Sequence, residues 1–121
     1  MNEPATLTLR DAAAAIAQGR LRSEALVEAC LDRIERAQPV LNCFIRASAE
    51  VAREQARAAD KAVKDRRAIG RIHGVPLAHK DMFPSAGHRI RYGSRVRGEF
   101  RATQTAAAVC VARNSPRTRE P

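Results

Sequence analysis

Tryptophan is absent from this sequence, and one tyrosine and three phenylalanines supply its whole aromatic content, 3% of 121 residues. The side chains that contribute most area to a core or a binding hot spot are therefore scarce. Cysteine occurs at Cys30, Cys43 and Cys110, an odd number with no CxxC pair. That argues against a disulfide scaffold or a zinc ribbon and fits a reducing, cytoplasmic setting. No stretch approaches the roughly 18 consecutive apolar residues of a membrane span. The opening Met-Asn-Glu-Pro-Ala-Thr also lacks the basic region and apolar core of a secretion signal.

What is present points to a single, thinly cored unit. Hydrophobic residues make up 45% of the chain, but 24 of those 54 side chains are alanine, which adds little buried area compared with leucine, isoleucine or phenylalanine. The length allows one domain and no composition shift divides it. An incomplete, helix-rich globular piece is the expectation. The net charge of +9 is unevenly spread: residues 1 to 88 carry a net of +3, and residues 89 to 121, with eight arginines against Glu99 and Glu120, carry +6. Arg89, Arg91, Arg95, Arg97 and Arg101 could meet phosphates. Only Tyr92 and Phe100 lie among them, too few for a base-stacking platform, so a solvated basic face is the plainer reading.

Thr8 can cap a short helix to about Gln18, with Leu9, Ala12, Ala13 and Ile16 on one face and Gly19 placed to end it. Ser23 offers a second N-cap, and Leu26, Val27, Cys30, Leu31 and Ile34 recur at helical spacing as far as Ala37. Cys30 falls on that apolar stripe, as a structural thiol would. Pro39 is expected to stop the helix and Val40 to Ile45 to run extended. Ser48 then opens an alanine-rich helix to about Arg66. On its solvent-facing side Glu50 with Arg53, Glu54 with Arg57 and Asp60 with Lys64 offset like-charge pairs. From Gly70 a glycine-punctuated loop leads into a short strand, Val75 to Lys80, with Pro76 near its start. A further helix is possible from Thr105 to about Ala112, with Val109 and Cys110 inward, before a tail rich in proline and arginine that reads as disordered.

Lys80, directly after an apolar segment, is the candidate for chemistry, because desolvation lowers a lysine pKa and a neutral amine can accept a proton. Its surroundings carry a resemblance. His73-Gly74-Val75-Pro76-Leu77-Ala78, Lys80-Asp81-Met82-Phe83, Ala86-Gly87 and Tyr92-Gly93-Ser94-Arg95 closely resemble the amidase signature family. Leu9 to Ile16, Leu26 to Ile34, Leu41-Asn42, Phe44-Ile45 and the Ala-Arg-Ala-Ala-Asp run at 56 to 60 follow the same N-terminal layout. The resemblance covers roughly residues 7 to 109, and Gly-Val-Pro…Lys-Asp is its most specific part.

It implies an α/β fold, in which three N-terminal helices pack beside the first strands of a larger mixed sheet. Residues 1–109 would form the N-terminal portion of that domain and 110–121 a divergent tail. It also implies hydrolysis of small carboxylic amides without metal or organic cofactor. Uncharged Lys80 would take a proton through a serine in a cis peptide bond, which activates a second serine to attack the amide carbonyl. Both serines belong to a glycine- and serine-rich segment, and none follows Lys80 here. Ser94 sits in the family's Gly-Ser turn, and Ser85 and Ser115 lack glycine-rich surroundings. The expectation is a truncated fragment, inactive alone. The transfer-RNA amidotransferase subunit is one possible relative within the family, and no residue selects it.

Two other readings use the same residues. His73, His79 and His88 with Asp81 could be imagined around a metal, but their spacing matches no tetrahedral site. The glycines at 70, 74, 87 and 93 lack the Gly-Lys-Ser or Gly-Lys-Thr of a phosphate loop. The alternative function from another class is a small nucleic-acid-binding module using residues 89–101.

Overall fold

The computed structural model describes residues 3 to 67 and 69 to 112, and the expected disordered tail lies, from residue 113 on, outside them. The chain divides into two compact units, Met1–Pro76 and Leu77–Pro121.

In the first unit, a 3-10 turn (Pro4–Thr6) precedes three helices: α1 (Leu9–Ala17), α2 (Ser23–Leu41) and α3 (Ala49–Lys64). Thr8 caps α1 as its position predicts: its Oγ1 accepts from the Asp11 N–H at 3.2 Å and donates to the Asp11 carboxylate at 2.7 Å. Gly19, at φ +69°, ends it, and the Gly19 and Arg20 N–H groups close back on the Ile16 and Ala15 carbonyls. Ala12, Ala15 and Ile16 form the buried face, while Leu9 lies in solvent.

The start of α2 differs from the sequence reading. Arg22 holds the N-cap position and Ser23 begins the helix proper. The cap comes from α3: the Asp60 carboxylate accepts from the Ser23 N–H at 2.6 Å and the Glu24 N–H at 3.1 Å. A negative group there satisfies two otherwise unpaired donors and complements the helix dipole. Asp60 is thus a bridge between helices, where a local pair with Lys64 was expected. Ser23 is fully buried and donates its hydroxyl to the Gly74 carbonyl.

Pro39 does not stop α2, which continues to Leu41. Proline's fixed φ is compatible with helix, and near a helix end only one hydrogen bond is forfeited. The stop comes at Asn42, in the left-handed region at φ 46°, and Gln38 secures it. Its side chain accepts from the Phe44 N–H at 3.0 Å and donates to the Phe44 carbonyl at 2.7 Å. The expected extended segment Val40 to Ile45 is therefore partly helix.

α3 packs an alanine face, Ala56, Ala59 and Ala62, inward. Its opposite side carries the charges, as predicted, but the main pairs run to α2. Arg53 grips Glu28 through two bonds, at 2.7 and 3.1 Å, while also holding Glu50 at 2.6 Å. Ala12, Ile16 and Leu26 make the centre of this unit, with Leu7, Leu21, Cys30, Val63 and Val75 packed around them.

The second unit has little regular structure. Residues 86 to 90 run antiparallel to 100 to 102: the Gly87 N–H donates to Ala102 at 2.8 Å, Ala102 to His88 at 3.0 Å and Ile90 to Phe100 at 3.1 Å. This amounts to a single bridge, Arg89 with Arg101. Ile90, Ala102 and Val109 are buried here, the last on α4 (Ala107–Ala112). Among the described residues no strand forms, and the architecture is helical. Val75 to Lys80, expected as a strand, has no ladder partner. A strand is defined by its neighbour, and Pro76 has no N–H to offer one.

Candidate functional site

Lys80 is exposed and lies in the second unit. Its carbonyl accepts from the Met82 N–H at 2.7 Å and the Phe83 N–H at 3.1 Å, so the lysine opens a tight turn. The half-buried Asp81 carboxylate accepts from the Arg91 N–H at 3.1 and 3.4 Å, which ties this turn to the segment ten residues on. That segment makes its own turn: the Ser94 N–H donates to the Arg91 carbonyl at 2.8 Å, with Tyr92 and Gly93 both at positive φ. The Lys-Asp and Tyr-Gly-Ser elements singled out in the sequence are thus joined through a carboxylate. No local signal reveals that link, because the donor is a backbone group far along the chain.

Ser94 is in its turn, and Ser115 lies outside the described residues. Ser85 is buried, with its Oγ 3.3 Å from His88 Nδ1. That nitrogen is also 3.1 Å from the Ala86 carbonyl. A carbonyl only accepts, so Nδ1 carries the hydrogen in that bond and is not free to take a proton from Ser85. Burial closes Ser85 to a substrate as well.

Among the described residues no group of three or more His, Cys, Asp or Glu side chains could hold a metal ion. His73 is engaged in the first unit, where its Nε2 donates to the Ala59 carbonyl at 3.0 Å. The arginines after residue 88 are partly committed within their own unit. Arg89 pairs with Glu99 at 2.8 Å, Arg101 donates to the Gly87 carbonyl at 2.9 Å, and Arg97 lies over Tyr92 and Phe100 at 5.4 and 5.6 Å from the ring centres. Arg97 thus covers one face of each of these two rings.

At the α2–α3 corner an open groove of about 740 Å³ is lined by Leu31, Ile34, Pro39, Ala47, Ala49 and Arg53. Leu31 and Ile34 of the α2 apolar stripe open onto it and are only half-covered, whereas Leu26 and Val27 are buried. Burial pushes the Cys30 thiol up from its ordinary pKa, partly offset by Arg33. Cys43 is exposed.

Comparison with known proteins bears on residues throughout the described chain. A family model described as Amidase matches residues 25–115. The A subunit of a glutamyl-tRNA(Gln) amidotransferase from Chloroflexus aurantiacus is 35% identical over 109 residues, which cover 90% of this chain and 22% of that protein. Proteins of the same name from Pseudomonas putida and Methylococcus capsulatus are 42% identical over 106 residues and 40% over 102, covering 85% and 84% of this chain. In both, the match covers 21% of the relative. The chain spans about a fifth of the length of the curated relatives it matches.

Proposed function

This chain belongs to the amidase family, and on that premise we propose that its residues 1–109 are the lysine-bearing N-terminal portion of an α/β amide hydrolase, with Lys80 as the proton acceptor. The observation that carries the reading is the setting of Lys80: it lies within the matched stretch and has a main chain held by a turn and a carboxylate tie. The desolvation that keeps such an amine neutral is absent here, where Lys80 is exposed, and would be supplied by the rest of the domain; there the neutral amine would draw a proton from a bridging serine, which draws one from the nucleophilic serine. The nucleophile attacks the amide carbonyl, an amine or ammonia leaves, and water releases the acid.

Residues 81–121 contain no glycine- and serine-rich segment to supply those serines. The 121 residues by themselves are therefore proposed to be inactive toward amides. The unpaired run from Val75 to Lys80 is proposed to become a strand of the mixed sheet when neighbouring strands are supplied. The substrate proposed is a small carboxylic amide. The relatives' name suggests a component of an amidotransferase, and that narrower role is a proposal within the same chemistry.

The test joins this chain to the remaining four-fifths of the Pseudomonas putida relative. Such a chimaera is expected to release ammonia from simple amides, and Lys80→Ala to lower the rate about 10²–10⁴-fold, the usual contribution of a positioned acid–base group. A folded chimaera that works equally well without Lys80 would remove the lysine from the mechanism. Ammonia release by the 121 residues alone, lost in Lys80→Ala, would overturn the proposal of inactivity.

A further inference from the structure

We infer that Asp81 is a positioning residue for Lys80, an inference that rests on the role proposed for that lysine. Lys80 and Asp81 are adjacent and oppositely charged, yet among the described residues no carboxylate lies within ion-pair distance of the Lys80 amine. The Asp81 carboxylate is turned instead to the Arg91 N–H, which both of its oxygens approach. This does two things at once. It fixes the turn in which the Lys80 carbonyl accepts from Met82 and Phe83, and so fixes the point from which the lysine side chain departs. It also withholds a negative charge from an amine that must be neutral to act as a base, since a nearby carboxylate favours the ammonium form. A carboxylate paired with a catalytic amine would oppose its work, and the Arg91 backbone donor holds this one out of such a pair.

Two readouts on the 121-residue chain test the inference without any amide hydrolysis. The first is hydrogen exchange at the Arg91 amide. The second is the rate at which acetic anhydride acylates Lys80, referred to Lys61 and Lys64, the other two lysines of the chain. Asp81→Ala is expected to speed Arg91 exchange about tenfold or more, the loss of one charge-assisted hydrogen bond. Asp81→Asn retains an acceptor oxygen and is expected to restore most of that protection. Asp81→Asn is also expected to leave Lys80 acylation unchanged within about twofold, because the carboxylate it replaces is held on the Arg91 N–H and out of an ion pair with the amine. Unchanged Arg91 exchange in Asp81→Ala overturns the latch. A rise of about twofold or more in Lys80 acylation in Asp81→Asn, the size of an exposed ion pair, overturns the withheld charge. Neither result depends on whether Lys80 is catalytic, which the chimaera decides separately.

Discussion

Asp60 and Gly74 carry more of the first unit than their residue types suggest. Asp60 caps a helix to which it does not belong, so Asp60→Ala leaves the Ser23 and Glu24 N–H groups without partners. It is expected to cost about 1–2 kcal/mol in urea unfolding, with Asp60→Asn costing less because one acceptor remains. Gly74 sits at φ +75°, and a Cβ there would meet Ser23 Cβ and Oγ at 3.1 Å and Ile16 Cγ2 at 3.2 Å. Gly74→Ala therefore combines backbone strain with a clash against the two most buried side chains of the unit. A loss of about 1–3 kcal/mol follows, measurable by the same unfolding experiment. The glycine-punctuated texture of this loop was legible in the sequence. The partner that demands Gly74 was not, because Ser23 lies 51 residues earlier and read as an ordinary cap. The two described cysteines separate as the apolar stripe implied. Cys30, half-buried and with its thiolate disfavoured, is expected to react with iodoacetamide more slowly than exposed Cys43, as peptide mapping of a time course would show.

Helix boundaries were readable where local chemistry decides them and unreadable where packing does. Thr8 and Gly19 bound α1 through their own hydroxyl and backbone freedom, and both were evident. Pro39 signalled a stop that the helix ignores, because Gln38 and Asn42 complete the end two residues later. Val75 to Lys80 read as a short strand, yet an apolar run cannot become a strand without a partner. The pairing of α2 with α3 was also hidden, since Glu28 and Arg53 are 25 residues apart and Arg53 had a nearer partner in Glu50. Its consequence is a pH dependence. The Arg53 hydrogen bonds hold the Glu28 carboxyl below its usual range, and Lys61 does the same for Asp65. A carboxyl depressed in the folded state adds stability that is fully present above its unfolded pKa and is lost as pH falls through the folded value. Stability is thus expected to decline as pH drops below the ordinary carboxylate range of about 4. Arg53→Met should flatten that decline in acid unfolding curves recorded between about pH 6 and pH 3. An unchanged slope would show that the Glu28–Arg53 pair, though well formed, does not couple to folding.

Across the chain, the balance between buried and exposed apolar side chains is unfavourable for an isolated protein. Among the described residues only Ile16, Leu26, Val27, Ile90 and Val109 are large hydrophobics that are fully buried, and the rest of the buried apolar set is alanine. Eleven large hydrophobics among the described residues are exposed, including Val40 at 84%, Ile45 at 71% and Val96 at 96%. Alanine burial contributes little per residue, and each unit has its own small core, so neither has much stability to spare. Ile16→Ala, which empties the centre of the first unit, costs about 2–5 kcal/mol at a well-packed site, comparable with all that so small a core supplies. The exposed side chains of residues 40 to 45, beside the α2–α3 groove, give such a chain a way to recover burial by self-association. The 121-residue chain is therefore expected to show a concentration-dependent rise in apparent mass by light scattering, reduced when Val40, Leu41 and Ile45 are replaced together by serine. In the chimaera, where the added four-fifths of a related domain supplies surface to cover such faces, the wild-type sequence is expected to be monodisperse and the triple substitution to be the destabilised form. That reversal separates a surface that merely happens to be apolar from one kept apolar because the rest of the domain packs on it. Equal behaviour of the triple variant in both settings would place the covering contact elsewhere on the chain.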